Sequence, residues 1–180
     1  MALLKLKSWK LFLLMLTPAL LGAVSLLSSQ YRQSVNAPLL VFGQVCTFLF
    51  LGVFVVWIDR LGTQLVQLPP NQGFNLSPFK WALIASTSYR LALDTYQLWF
   101  SLLNHVPLRL EENLWVIPFH LLATFAALYC FYTDAYLLVS AEKKHPGRFS
   151  AVWKTFGLIL AFPLGLWFIQ PRFQTLVARR

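Results

Sequence analysis

Apolar residues run along this chain in five long blocks, and polar residues collect in the gaps between them. The blocks cover residues 10–27, 38–58, 81–103, 114–139 and 152–170. Each approaches the roughly 20 apolar residues that a helix needs to cross a ~30 Å hydrocarbon core. The pattern predicts one all-α domain over residues 1–180, a polytopic membrane helical bundle with five transmembrane segments. The second block, PLLVFGQVCTFLFLGVFVVWI, is unbroken. The fifth, VWKTFGLILAFPLGLWFIQ, is interrupted by Pro163 and Gly165. Four spans plus a broken or re-entrant fifth is therefore the alternative, since a Pro/Gly break is tolerated at membrane depth where protein surrounds the backbone. The longest gap, DRLGTQLVQLPPNQGFNLSPFK, reads as a turn-rich loop, with LGTQLVQL as a short amphipathic turn at its start. Trp81, Trp99, Trp115, Trp153 and Trp167 fall near block ends, where interfacial aromatic belts form.

Composition strengthens this reading. The chain is 58% hydrophobic and 12% charged, against about 45–50% and 25% in soluble domains. The first block, preceded by Lys5, Lys7 and Lys10, has the form of a signal segment, and with Met1 retained it is expected to act as an anchor. The net charge of +9 sits at block ends, as topology signals and anionic headgroups require, so the lipid bilayer is the expected partner and nucleic acid is not. With the N-terminus cytoplasmic, five crossings put nine basic residues inside (Lys5, Lys7, Lys10, Arg60, Lys80, Lys143, Lys144, Arg148, Lys154) and five outside (Arg32, Arg109, Arg172, Arg179, Arg180). A re-entrant fifth block returns the last three to the cytoplasm and makes the count twelve against two. Cys46 and Cys130 lie inside apolar blocks and read as small buried hydrophobes, with no metal or cofactor motif around them.

The third block contains STSYRLALDTYQLW, with Arg90 and Asp94 near its middle. Each ionisable group at mid-bilayer costs about 2.5–3.5 kcal/mol on insertion scales. Four residues apart, the two share a helix face and can pair, and Ser86 and Gln97 extend that polar stripe. The stripe must face protein or a wet cavity. In the fourth block His120, Thr124 and Asp134 share a face. We expect Arg90 to bridge Asp94 and Asp134, with Gln44, Tyr89, Tyr96 or Tyr132 completing the hydrogen bonds. Arg90, Asp94, His120, Asp134, Gln44 and Tyr96 are the candidate ligand-binding residues; the plainer reading makes the same cluster structural glue between helices. Glu111 and Glu112 read as a solvated helix start. Ser101 and His105 lack an orienting acid, and HExxH, GxSxG and P-loop motifs are absent.

The tail AFPLGLWFIQPRFQTLV carries Pro163, Gly165, Trp167, Gln170, Pro171 and Arg172. With LKSWKLFLL and YRLALDTY, it resembles an uncharacterised family of small multi-pass bacterial membrane proteins, whose C-terminal signature is Pro-x-Gly-x-Trp followed by Gln-Pro-Arg. The resemblance implies a helical protein of the bacterial inner membrane and no particular activity. From the residues themselves, Pro163 and Gly165 predict a kink, and Trp167 with Gln170–Arg172 an interfacial stop.

Three functional classes follow. The first is a non-enzymatic accessory or scaffold subunit or small sensor, associating with itself or another membrane protein. The second is a ligand- or lipid-binding or transport module with a pocket around Arg90, Asp94, His120 and Asp134. The third is a lipid-acting enzyme using His120 and Asp134.

Overall fold

A computed structural model describes residues 6–31, 37–104, 116–143, 145, 148–162 and 164–178. Among these there are six α-helices and no strand: α1 (Ser8–Tyr31), α2 (Ala37–Val66), α3 (Ser77–Asn104), α4 (Val116–Lys143), α5 (Phe149–Leu160) and α6 (Leu166–Ala178). Three stretches, Ser8–Ser25, Ala37–Val66 and Val116–Lys143, are long and apolar enough to cross a membrane. They are the helices of a membrane protein. α3 is equally long, at 28 residues, and its polar stripe is what lowers its hydropathy.

Neighbouring helices pack antiparallel in a consistent register. Gly22 of α1 lies against Gly43 and Thr47 of α2, so close that a Cβ on Gly22 would sit 3.2 Å from the Gly43 carbonyl oxygen. Small residues at that crossing let the two backbones approach without a hydrophobic driving force, which lipid does not supply. On α3 and α4, the Cys130 thiol reaches the Phe79 carbonyl at 3.6 Å, and the rings of Tyr89 and His120 meet at 5.9 Å. Position along α3 plus position along α4 is thus constant from one contact to the next.

The expected single fifth helix, residues 152–170, is instead two short ones. α5 has 12 residues and α6 has 13, about 18 and 20 Å at 1.5 Å per residue, each too short for a ~30 Å core. α6 folds back along α5. Arg172 donates to the Thr155 hydroxyl at 3.3 Å and holds Glu142 of α4 through two nitrogens, both at 2.6 Å. A straight helix would separate residues 155 and 172 by about 25 Å. Gln174 donates to the Leu6 carbonyl at 2.8 Å, which brings the end of α6 to the start of α1.

The loop expectation is corrected at its first half. LGTQLVQL does not form a separate interfacial turn: α2 continues as helix to Val66. Thirty residues reach about 45 Å, so polar Asp59, Arg60 and Gln64 belong to a helix leaving the hydrocarbon rather than to a loop. The turn that follows is tied down by buried Asn71, whose amide donates to the carbonyls of Leu65 at 3.0 Å and Leu137 at 2.8 Å. Gly73 takes a positive φ of 95°, which a side chain resists. Around this turn end of the bundle the tightest core assembles: Leu61, Leu65, Phe79, Leu137, Leu138, Ile169 and Phe173 are all buried. The opposite end is open to its surroundings, as at Leu103, Ile117, Leu122 and Phe125. Trp81, Trp99, Trp153 and Trp167 are exposed at helix ends, as an interfacial belt requires; Trp115, Glu111, Glu112, Arg32 and Arg109 lie outside the described residues.

Asn71→Ala is expected to remove both bonds that tie the turn to α2 and α4, at the carbonyls of Leu65 and Leu137. The loss should be about 1–3 kcal/mol, read as an earlier thermal unfolding of the detergent-solubilised protein, with the helical content of the folded state unchanged.

Candidate functional site

Arg90 lies midway along α3, and Asp94 one turn on accepts its Nε–H at 2.9 Å. The two members of the pair differ in environment. The Asp94 side chain is 3% exposed and the Arg90 side chain 49%. Asp94 is pressed toward α2, where Gln44 is its polar neighbour; the Gln44 amide nitrogen makes no formal hydrogen bond. Arg90 points the other way, into a cavity of about 250 Å3 between α2, α3 and α4. Its walls are largely apolar, with Leu51, Phe54, Val55, Ala127 and Phe131. Its polar lining is Ser86, Thr87, Tyr89, Arg90, His120 and Thr124. The Tyr89 hydroxyl there is buried without a hydrogen-bond partner. The Thr124 hydroxyl is not free, because it donates to the His120 carbonyl at 2.8 Å.

The structure therefore brings Arg90, Asp94, His120 and Gln44 into one neighbourhood and leaves Asp134 and Tyr96 out. The expected bridge from Arg90 to Asp134 is not formed. Asp134 is fully buried, and neither carboxylate oxygen has a hydrogen-bond partner. It packs against Gly62 of α2, where a Cβ would lie 2.7 Å from Oδ1. The reason is axial. His120 and Asp134 share a face, but they are 14 residues apart on one helix, about 21 Å along its axis. Since Tyr89 stands opposite His120, Arg90 is level with the start of α4. The same separation means His120 and Asp134 cannot serve one reaction centre. Tyr96 lies 39% exposed on the outside of α3, against Trp99 and Phe100. Among the described residues no group of three His, Cys, Asp or Glu side chains could hold a metal ion.

The C-terminal signature residues build the α5–α6 turn and its docking. Pro163 lies outside the described residues. Gly165 stands against the backbone of Leu158, so close that a Cβ would overlap its carbonyl oxygen at 1.6 Å. Trp167 is exposed and meets Phe12 of α1 edge-on at 5.5 Å. Gln170 is not interfacial: it is fully buried and accepts from the Trp57 indole at 3.1 Å. Nor does the helix stop at Pro171 and Arg172, since α6 runs through both to Ala178. Sequence reasoning missed Trp57 and Asn71 as buried polar anchors and Glu142 as the partner of Arg172. Gln44, a polar residue within an apolar span, is one of four side chains that the sequence offers to complete the hydrogen bonds of the cluster, and it is the one found beside Asp94.

Compared with family models, with curated proteins and with solved structures, the chain matches none.

Proposed function

We propose that this chain is a non-enzymatic membrane protein that binds an anionic amphiphile, a carboxylate or phosphate carried on an apolar body, in the cavity beside Arg90. The observation that carries the reading is the half-exposed Arg90 side chain in the lining of the cavity. Asp94 takes its Nε–H, and Arg90 shares the lining of an apolar-walled cavity with His120 and with Tyr89, whose hydroxyl is unmatched. Bidentate recognition of carboxylate or phosphate is what a guanidinium fork does well. Leaving such a cation open to acyl chains is costly, and an anion in the cavity removes that cost. The packed scaffold reading is less well supported, because a cavity reaches the charged pair.

Depth narrows the ligand class. Arg90 stands 13 residues from the start of α3 and 14 from its end, so its backbone is about 20 Å from either end. A phospholipid resting in its own leaflet keeps its phosphate outside the ~30 Å core. The favoured ligand is one whose charge enters the core: a compact apolar acid, or a lipid drawn inward or moving between leaflets.

The reading takes the bundle as four crossings with α5–α6 as a re-entrant hairpin. The start of α1, the turn after α2, the end of α4 and the end of α6 then share one face. The positive-inside count supports a cytoplasmic placement of that face, and the resemblance of the C-terminal tail supports residence in a bacterial inner membrane.

Native mass spectrometry of gently extracted protein tests the binding reading. An anionic amphiphile is expected to remain with the wild-type chain, and added small apolar acids and phospholipids should compete for it with different strengths. A wild-type chain that retains no such molecule, and takes up neither kind when it is supplied, removes the proposal.

A further inference from the structure

The second polar cluster lies toward the turn end of the bundle, about 21 Å along α4 from His120 and one turn beyond Cys130 and Phe131, where the lining of the Arg90 cavity ends on α4. Asp134 is 0% exposed, and neither carboxylate oxygen is hydrogen-bonded. No cation among the described residues pairs with it. The charge that α2 brings to this side is of the wrong sign: Asp59 lies one turn before Gly62, the residue against which Asp134 packs. Two further features mark the place as built. Gly62 supplies room, since any side chain there would strike Asp134 Oδ1 and the Phe79 ring. The Thr63 hydroxyl, next along α2, is also buried without a partner.

No element packed against Asp134 supplies the missing positive charge among the described residues. α2 offers Asp59 and then Arg60, which is exposed and lines the α2–α3 groove together with Asp59. α3 offers the apolar ring of Phe79. α4 itself offers Cys130, whose thiol is engaged by the Phe79 carbonyl. On α5, Lys154 is exposed; on α6, Arg172 is held by Glu142, eight residues beyond Asp134. A buried carboxylate with no counter-charge and a second acid nearby is not a stable resting state.

We propose that Asp134 and Asp59 form a binding site for a small monovalent cation, a proton or an alkali-metal ion, with Asp59 opening on the α2–α3 groove. That groove, about 380 Å3 in volume, is lined by Val55, Asp59, Arg60, Leu83 and Thr87. Asp59 stands at its wall, and Asp134 packs against Gly62, one turn further along α2. The cation occupies the carboxylate oxygens that no protein donor reaches, and it links α2 to α4.

A bound cation stabilises the folded chain by mass action. Thermal unfolding of the full-length protein in detergent is followed in two titrations: pH in a sodium-free choline buffer, and sodium against choline at fixed pH. One of them is expected to move the wild-type midpoint by at least about 3 °C, the shift that a modest linkage gives in a chain of this size. With a proton, stability is present at low pH and falls as pH rises; with an alkali ion, it rises with sodium and not with choline. Asp134→Asn, neutral and of the same shape, should abolish the response, and Asp59→Asn should weaken it. The infrared carboxylic-acid C=O band of the wild type, lost in Asp134→Asn, identifies the proton. Equal responses in wild type and Asp134→Asn, or a wild type insensitive to both titrations, overturn the site. Where Asp134→Asn fails to fold, the wild-type titrations with the infrared spectra of wild type and Asp59→Asn decide: no acid band and no sodium effect overturns it.

Discussion

Gly165→Ala is expected to unfold the C-terminal hairpin and to lower stability by about 4 kcal/mol or more, the range reserved for a few severe mechanisms. The added methyl would lie 1.6 Å from the Leu158 carbonyl oxygen and 2.6 Å from its carbon. Those are backbone atoms of α5, and they cannot rotate out of the way as a side-chain tip can. The hairpin must open to accept the methyl, and its docking contacts go together. These are the Trp57–Gln170 hydrogen bond, the Arg172–Glu142 pair and the reach of Gln174 to Leu6. Buried Trp57 would then keep its indole N–H unmatched inside the bundle, a penalty beyond the lost bond. Gly157→Ala and Gly52→Ala are the controls. A Cβ meets nothing within 4 Å at either position, and alanine is the better helix former, so both should be neutral or slightly stabilising. Thermal unfolding of the three variants in one detergent checks the order. A Gly165→Ala protein as stable as the Gly157→Ala protein would show that the chain does not turn back at residues 161–165.

How far the sequence carries can be judged from individual residues. The blocks at residues 38–58 and 114–139 announce α2 and α4 because hydropathy reports a helix long enough to span. It does not report where a helix ends once the chain leaves the hydrocarbon. Hence Asp59, Arg60 and Gln64 look like loop residues although they continue α2. The Arg90–Asp94 pair was legible from spacing alone, because neighbours four apart on a helix need no tertiary information. The isolation of Asp134 from Arg90 was not. Helical-wheel angles place His120 and Asp134 on one face, but the level at which α3 and α4 meet is fixed by contacts such as Phe79 with Cys130, which no local pattern encodes. The Pro/Gly break was visible as a break. That it reverses the chain rather than bending it depends on Arg172 finding Glu142 and Gln170 finding Trp57, residues 30 and 113 positions away.

Arg90→Leu should lower stability by about 2–3 kcal/mol, and Asp94→Asn by about 1 kcal/mol or less. The asymmetry follows from burial. Removing Arg90 strands a carboxylate that is 3% exposed beside the Gln44 amide. Removing one member of a buried pair costs about 3–5 kcal/mol, and the half-exposure of the guanidinium brings the expectation to the lower side. Removing the charge of Asp94 leaves an Arg90 side chain that is 49% exposed, and the asparagine amide oxygen can still accept its Nε–H. In the double variant no charge remains to be compensated, so most of the loss in Arg90→Leu should be recovered; replacing both members of such a pair is often close to neutral. The cycle separates two roles that any single substitution confuses. If Arg90 serves only to hold α3 in place, the double variant regains its fold and still carries whatever the wild type carries. If Arg90 holds an anion, the double variant regains its fold and has lost the retained amphiphile in native mass spectra. Stability restored with the amphiphile still bound would place the ligand elsewhere and end the case for a site at Arg90.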